Sequence, residues 1–355
     1  MSRNSAARLI SAVDLFCGAG GLSYGLKRAG ISVVAGVDLD PACRYPFEAN
    51  LGAPYLEMDV RDLNAAQLDP FWIEGSARLL AGCAPCQPFS PYRKGQDTSD
   101  EADWSLLGEL GRIVEEAVPE LITIENVPRM CSAKVFKDFV ESLEILGYEV
   151  DWKSCRAADY GLPQTRRRLV LLASKLGSIS IPSGRLAQTN YRTVREAISG
   201  LPHLEAGSAD RKDPLHKSRG LSGINLERIQ ASKPGGTWQD WPDRLLAPCH
   251  KKKSGSTFKN VYARMEWDAP APTITTLSHN FGTGRFGHPN QDRAISLREA
   301  AMLQGFPRKY QFVAPNEDVT LTKVGRLIGN AVPPPLAEAI GREALRHVKK
   351  HRVTL

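Results

Sequence analysis

At residues 12–21 the chain reads AVDLFCGAGG, a short apolar run that passes directly into a glycine-rich turn. Glycines let the backbone turn tightly and let a ligand approach the main chain closely. A stretch with helical spacing follows from Leu22 to Arg28 and is closed by Gly30. This order of strand, glycine turn and helix is typical of a sheet that binds its ligand at the carboxyl ends of its strands.

Further apolar runs alternate with helical spacing over the first 180 residues. We predict strands at 31–37, 53–58, 78–81, 121–124, 148–155 and 169–173, and helices at 106–117 and 135–146. Helices that lie between short apolar strands predict an α/β fold with a doubly wound, Rossmann-like, mostly parallel sheet.

The regular pattern is lost after about residue 184, where proline, glycine, serine and lysine become frequent, and it returns near Leu297. We therefore predict a catalytic and cofactor-binding domain at 1–184 and a smaller loop-rich domain at 185–292. A C-terminal segment at 293–355 is expected to return to the first domain.

Charge is distributed unevenly along the chain. Residues 1–150 hold 13 basic and 22 acidic side chains, a net charge of −9, whereas residues 151–355 hold 33 and 17, a net charge of +16. Either a polyanionic partner of the second half or a solvated basic surface would produce this split.

Several protein classes are disfavoured by composition. No apolar run approaches the roughly 20 residues of a membrane helix, and no signal peptide is readable, so we expect a cytoplasmic protein that does not contact a membrane. Seven cysteines are too few for a disulfide framework. The histidines show no metal-ligand spacing, so no metal site is expected.

Two acidic residues stand at predicted strand ends behind the glycine turn. Asp38 follows the turn by about 20 residues, where a carboxylate can accept both hydroxyls of a ribose. Asp59 ends the third strand and could accept from an adenine amine. A glycine turn alone could be only a tight turn, but with these carboxylates it favours a nucleoside cofactor. The spacing fits neither the pyrophosphate fingerprint nor a phosphate loop, which disfavours NAD and ATP.

A cysteine with rigid flanks follows the fourth predicted strand. Cys86 lies between Pro85 and Pro88, which would hold a nucleophilic thiol at one angle. A buried structural cysteine is the alternative. A redox pair with Cys83 is a further one, disfavoured because the prolines prevent the helix that such a pair requires.

Two more polar groups flank later strands. Glu125 emerges from the apolar run 121–124, where burial raises the pKa of a carboxyl and lets it carry a proton at neutral pH; Asn126 could alternatively cap a helix. In the sequence QTRRR at 164–168, alternation would put Arg166 and Arg168 on one face. These arginines could contact a phosphate or a base edge, or could be solvated.

Six motifs occur together in a fixed order: DLFCGAGG at 14–21, PCQPFS at 85–90, ENV at 125–127, QTRRR at 164–168, LREAAMLQGFP at 297–307 and GNAV at 329–332. On these motifs, from residue 12 to about 345, the chain resembles the bacterial DNA cytosine-C5 methyltransferases. One departure is Gly82-Cys83-Ala84-Pro85-Cys86, where the family commonly has Gly-Gly-Pro-Pro-Cys.

The resemblance implies roles for the matching positions. Cys86 would be the nucleophile, Glu125 the partner of pyrimidine N3, and Arg168 a neighbour of the cytosine O2, with Arg166 as a further catalytic residue. The residues implied to bind S-adenosyl-L-methionine are Phe16, Gly18, Ala19, Gly20, Gly21, Asp38, Asp59, Val60, Leu106 and Asn330. DNA contacts are expected at Gln87, Ser90, Thr276 and Leu277.

The implied reaction is methyl transfer from S-adenosyl-L-methionine to C5 of a flipped-out cytosine in a specific duplex DNA sequence, through a covalent bond between Cys86 and C6. Residues 185–292 would be the target-recognition domain of an enzyme that acts as a monomer on DNA. A cognate restriction endonuclease is left open. The alternatives are a tRNA cytosine-C5 methyltransferase of the same family and a catalytically silent DNA-binding relative.

Overall fold

The computed structural model describes residues 9–85, 105–252, 255 and 257–352. The strands in these ranges are β1 Ile10–Leu15, β2 Ser32–Asp38, β3 Tyr55–Glu57, β4 Ala77–Gly82, β5 Leu121–Asn126, β6 Glu149–Arg156 and β7 Arg167–Ser174. They form one sheet in the order β3-β2-β1-β4-β5-β7-β6. The first five strands pair in parallel, whereas β7 pairs antiparallel with β5 and β6. The predicted α/β fold with a mostly parallel sheet is confirmed.

The helices of the described ranges are α1 Gly21–Ala29, α2 Arg44–Leu51, α3 Ser105–Ala117, α4 Lys134–Ile145, α5 Val194–Ile198, α6 Gly223–Ala231, α7 Leu297–Leu303, α8 Leu321–Asn330 and α9 Pro334–Arg352. Helix α2 has no counterpart in the sequence prediction, because Pro46 falls within it. Within the described ranges, no helix is long and apolar enough to cross a membrane.

Strand β1 is buried along its whole length because both faces of the sheet are covered. Val13 and Leu15 join a core cluster with residues of α3 and α4. Ile10 and Ala12 join a second cluster with residues of α1 and α9. A strand that is covered on both faces is continuously apolar rather than alternating, and this explains the run that opens the motif at 12–21.

Helix α1 is held against the C-terminal helix α9 at very short range. A Cβ on Gly25 would lie 2.4 Å from both the Cβ of Ala337 and the carbonyl oxygen of Pro334. Only glycine therefore permits this packing. The contact anchors α1, and with it the glycine turn that precedes α1, to the last helix of the chain.

The chain divides into two compact units. The first comprises residues 1–160, 167–185 and 332–355, and the second comprises 161–166 and 186–331. The observed division at 185/186 lies within one residue of the predicted one at 184/185. The return to the first unit, however, occurs at 332 rather than at the predicted 293.

The difference at 293 has a physical cause in the second unit. Arg293 is fully buried and donates to both carboxylate oxygens of Glu299 in α7, each at 2.7 Å. The hydroxyl of Ser296 lies 2.8 Å from Nδ1 of His216. These buried contacts tie the start of α7 to residues of the loop-rich region, although α7 has the regular periodicity that is typical of the first domain.

The second unit has a small aromatic core of its own. Its buried cluster consists of Ile229, Trp238, Trp241, Leu245, Phe281 and Ala294. The indole nitrogen of Trp238 donates to the carbonyl oxygen of Phe258 at 2.9 Å, and that of Trp241 donates to the hydroxyl of Ser232 at 2.9 Å. A few large aromatic side chains whose polar atoms form hydrogen bonds can order a region that has little regular secondary structure.

Candidate active site

The glycine turn leaves the carboxyl end of β1 in a conformation that few side chains tolerate. Phe16, Gly18 and Gly20 all have positive φ angles, of 56°, 52° and 84°. A Cβ on Gly18 would meet no atom within 4 Å. The requirement for glycine there is therefore conformational, and the space beside the main chain is open to a ligand.

Asp38, at the end of β2, orders this turn. Its Oδ2 accepts a hydrogen bond from the backbone nitrogen of Gly18 at 2.8 Å, and its Oδ1 accepts one from the backbone nitrogen of Asp40 at 3.0 Å. Burial raises the pKa of Asp38, and these two backbone donors partly offset the effect. The predicted ribose-binding carboxylate is thus also a structural partner of the glycine turn.

Asp59 has a different environment from the one expected for an adenine contact. Its carboxylate accepts from Nε and Nη2 of Arg61, at 3.0 and 2.6 Å, and also from the backbone nitrogen of Arg61. The hydrogen bond from the Arg61 side chain lowers the pKa of Asp59. Val60 is buried beside it, whereas Leu106 in α3 is partly exposed.

Glu125 lies at the carboxyl end of β5 with only 3% of its surface exposed. Its Oε1 lies 3.0 Å from Nε of Arg168 on β7, and its Oε2 accepts from the thiol of Cys83 at 3.3 Å. The next residue, Asn126, donates to the carbonyl oxygen of Ala84 at 2.9 Å. The carboxyl of Glu125 is therefore buried, as expected of a residue that emerges from an apolar strand, and a guanidinium and a thiol contact it. Asn126 ties the strand end to the segment that leads into residue 85.

Comparison with known proteins identifies the family of this chain. The model of the C-5 cytosine-specific DNA methylases matches residues 10–346. The chain belongs to this family. The methylase is 47% identical over 340 residues to the Type II methylase M.HgiDII of Herpetosiphon aurantiacus, with 95% of each chain covered. It is 33% identical over 342 residues to the Type II methyltransferase M1.HphI of Haemophilus parahaemolyticus, covering 94% of this chain and 86% of that one.

Solved structures agree with the fold. A DNA modification methyltransferase encoded within an E. coli prophage superposes with a TM-score of 0.74 at 25% identity, covering 96% of this chain and 99% of that one. The S. pombe Dnmt2 methyltransferase superposes with a TM-score of 0.63 at 18% identity, covering 97% and 99%, and shows the shared fold alone. Family membership confirms the predicted activity: the methylase transfers a methyl group from S-adenosyl-L-methionine to C5 of cytosine in DNA.

In the methylase, Arg166 lies in a different environment from Arg168. It is buried before the start of β7 and belongs to the second unit. Its guanidinium donates to the carbonyl oxygens of Ile274, at 3.1 Å, and Gly329, at 3.4 Å. These contacts give Arg166 structural partners in the second unit, and its predicted catalytic role stays a prediction.

The neighbouring Gln164 braces the same region and was not singled out by the sequence. Its amide nitrogen donates to the carbonyl oxygen of Leu303 and to the side chain of Gln304, at 3.1 and 2.9 Å. Its amide oxygen accepts from the backbone nitrogen of Ile274 at 3.0 Å. The QTRRR motif therefore organises the interior of the second unit as well as supplying Arg168 to the first.

Thr276 and Leu277 lie next to this braced segment. A Cβ on Gly329 in α8 would lie 2.3 Å from the backbone nitrogen of Thr276, so the segment packs directly on the helix. Leu277 nevertheless exposes 43% of its surface. Asn330, the last residue of α8, is exposed and belongs to the second unit.

Three predicted residues, Cys86, Gln87 and Ser90, lie outside the described residues, and their predicted roles stay predictions. Within the described ranges, no three side chains of His, Cys, Asp or Glu come together as a candidate metal site.

Two residues near the predicted site escaped the sequence reasoning. Cys83 was considered as a redox partner of Cys86 and as a departure from the family's usual sequence, but its contact with Glu125 was not predicted. Leu39 follows Asp38 and exposes 61% of its surface, at the edge of the sheet where β2 ends. The contact of Cys83 depends on strand register, which the sequence does not show, whereas an apolar residue beside a strand-end carboxylate is a signal that can be read.

Proposed function

We propose that the methylase activates cytosine through Cys86 and Glu125. Cys86 adds as a thiolate to C6 of the ring, and Glu125 holds a proton at N3, so that the electron pair of the broken C5–C6 double bond becomes available at C5. The observation that supports this is the buried carboxyl of Glu125, fixed by Arg168 at 3.0 Å at the carboxyl edge of the sheet.

The remaining steps restore the ring. S-adenosyl-L-methionine would supply an electrophilic methyl group to C5, and the electrons of the broken S–CH₃ bond would stay on the sulfur of the S-adenosyl-L-homocysteine that leaves. A base then removes the C5 proton, and the electrons of that bond re-form the double bond as the thiolate of Cys86 leaves C6. Arg168 lies beside Glu125. Its positive charge balances the negative charge of the Glu125 carboxylate when the proton is on N3 of the cytosine.

The residues of the glycine turn fit the cofactor. At Gly18 the space beside the main chain is open, and the half-buried carboxyl of Asp38 lies within hydrogen-bonding distance of that turn. We assign the ribose hydroxyls to Asp38, and the adenine to Phe16, Val60 and the exposed Leu39. Leu106 and Asn330 are assigned further contacts with the cofactor. Asp59, which is held by Arg61, orders the turn after β3 and would contact adenine only through an oxygen it shares with that arginine.

We assign recognition of duplex DNA to the second unit. Thr276 and the exposed Leu277 are presented on a braced segment, and residues 185–260 carry 14 basic against 7 acidic side chains. Gln87 and Ser90 would contact the DNA around the flipped-out base. Lysines and arginines neutralise phosphates, whereas groove contacts to base edges select the sequence.

The names of the relatives suggest a biological setting. M.HgiDII and M1.HphI are Type II enzymes. We propose that this methylase protects DNA from a cognate restriction endonuclease, acts as a monomer on its site, and works in the cytoplasm.

Methyl incorporation into duplex DNA tests the role of Glu125. Glu125→Gln keeps a hydrogen bond but cannot deliver a proton as an acid does, so turnover should fall about 100-fold or more. Glu120→Gln is the matched control, because Glu120 precedes the same strand and instead accepts from the backbone of Arg78. Wild-type turnover by Glu125→Gln would contradict the proposal. Methylation of tRNA in preference to duplex DNA would contradict the assigned substrate.

A further inference from the structure

Cys83 stands beside Glu125 because of strand register. Strands β4 and β5 pair in parallel with Gly82 opposite Ile124. The residues that follow, Cys83 and Glu125, therefore leave the two strands side by side. The backbone nitrogen of Cys83 donates to the carbonyl oxygen of Leu15 at 3.3 Å, which anchors Cys83 to β1 as well. The contact between thiol and carboxyl is thus fixed by the pairing of β4 and β5 at the carboxyl edge of the sheet.

The two oxygens of Glu125 face different partners. Nε of Arg168 on β7 lies 3.0 Å from Oε1, and the thiol of Cys83 lies 3.3 Å from Oε2. A guanidinium can only donate, so a proton on Oε1 would face another donor. The acidic proton of Glu125 therefore belongs on Oε2, the oxygen that Cys83 contacts.

A thiol suits a carboxyl that gains and loses a proton. It is a weak donor and a weak acceptor, so it can contact the carboxyl in both states, and it brings no charge that would favour one state strongly. When the thiol donates to one lone pair of Oε2, the proton of the acid is left to the other position on that oxygen.

We propose that Cys83 is a positioning residue that orients the carboxyl of Glu125 and directs the proton on Oε2 toward N3 of the flipped-out cytosine. Because Glu125 acts here in its proposed role at N3, the role of Cys83 rests on the proposed function. Cys83 neither touches the reacting carbon atoms nor forms a covalent bond in this scheme.

Substitutions of Cys83 test this by separating packing from hydrogen bonding. Cys83→Ala removes the donor, whereas Cys83→Ser installs a stronger one of similar size. The measurement is the single-turnover rate of methyl transfer to duplex DNA, with saturating cofactor, from pH 6 to pH 9. Glu125 must carry its proton, so the alkaline limb of this profile reports loss of that proton.

The two variants should move the alkaline limb in opposite directions. A stronger donor favours the ionised carboxylate, so Cys83→Ser should shift the limb to lower pH and keep the maximal rate close to that of the wild type. Cys83→Ala should shift the limb to higher pH. Its maximal rate should fall about fivefold, the effect of one lost hydrogen bond of about 1 kcal/mol.

Two controls separate this role from the alternatives. Cys131→Ser changes a partly buried thiol that packs against the core cluster of α3 and α4, and it should leave the profile unchanged. Glu125→Gln should lose the alkaline limb altogether.

If Glu125→Gln turns over like the wild type, the proposed function fails. A different result would overturn only the positioning role. In that case Glu125→Gln transfers the methyl group slowly, but the alkaline limb of the pH profile is unchanged in both Cys83 variants or shifts in the same direction in both.

Discussion

Replacing Asp38 by asparagine should weaken cofactor binding through the glycine turn as well as through the ribose. The carboxylate accepts from the backbone nitrogens of Gly18 and Asp40, at 2.8 and 3.0 Å. An amide of the same shape has one acceptor oxygen, so its NH₂ group must face one of these two N–H donors. A hydrogen bond to a charged group contributes about 1.5–3 kcal/mol. Asp38→Asn should therefore reduce cofactor affinity about 10- to 100-fold, at about 1.4 kcal/mol per factor of ten.

Calorimetric titration with S-adenosyl-L-methionine measures this affinity directly. Asp40→Asn is the matched control, because the carboxylate of Asp40 accepts from the backbone nitrogen of Ala42 in the segment that follows β2. The control should bind the cofactor with wild-type affinity, and both variants should bind duplex DNA as the wild type does. A folded Asp38→Asn protein with unchanged cofactor affinity would refute the link between Asp38 and the glycine turn.

Three further predictions concern stability and DNA binding. Burial raises the pKa of Asp14 from 3.8 to about 7, so the folded state binds the proton more tightly and the free energy of unfolding should decline as pH rises from about 4 to about 7, by on the order of 4 kcal/mol. Chemical denaturation should show this slope in the wild type and lose it in Asp14→Asn. Glu299→Gln should destabilise the protein by about 3–5 kcal/mol, because it leaves the buried guanidinium of Arg293 without its counter-charge; a melting temperature within a degree of the wild type would exclude that. Affinity for duplex DNA should fall steeply between about 50 and 200 mM salt, as expected when several phosphates are neutralised by basic side chains. A flat salt dependence would contradict the assignment of a basic DNA-binding surface.

Much of the sheet could be predicted because its signals are local. Strands β1, β4 and β5 are mostly apolar and buried; β4 ends at Gly82, β5 ends at Asn126, and β1 leads into the glycine turn. The position of the glycine turn and of Asp38 followed from the same pattern. Helix α2 was missed because Pro46 contradicts helical propensity locally, although packing of Phe47 and Leu51 into the core stabilises the helix.

The features that could not be predicted depend on contacts between distant residues. Arg166 and Arg168 alternate along the chain, but β7 begins only at Arg167, so the guanidinium of Arg166 is bound by carbonyl oxygens more than 100 residues away. The ion pair between Arg293 and Glu299 places α7 in the second unit, against its periodicity. The contact of Cys83 with Glu125 requires the pairing register of β4 and β5, which no local pattern contains.

Trapping of a covalent complex tests the central chemistry most directly. A duplex that carries 5-fluorocytosine at the target has no C5 proton to lose, so the bond between Cys86 and C6 cannot be released after methyl transfer. With S-adenosyl-L-methionine present, the wild-type methylase should give a protein–DNA band that survives boiling in detergent. Cys86→Ala should give none, and Glu125→Gln should form the band slowly. A band that survives Cys86→Ala, or the absence of any band from a preparation that methylates ordinary DNA, would contradict the covalent mechanism through Cys86.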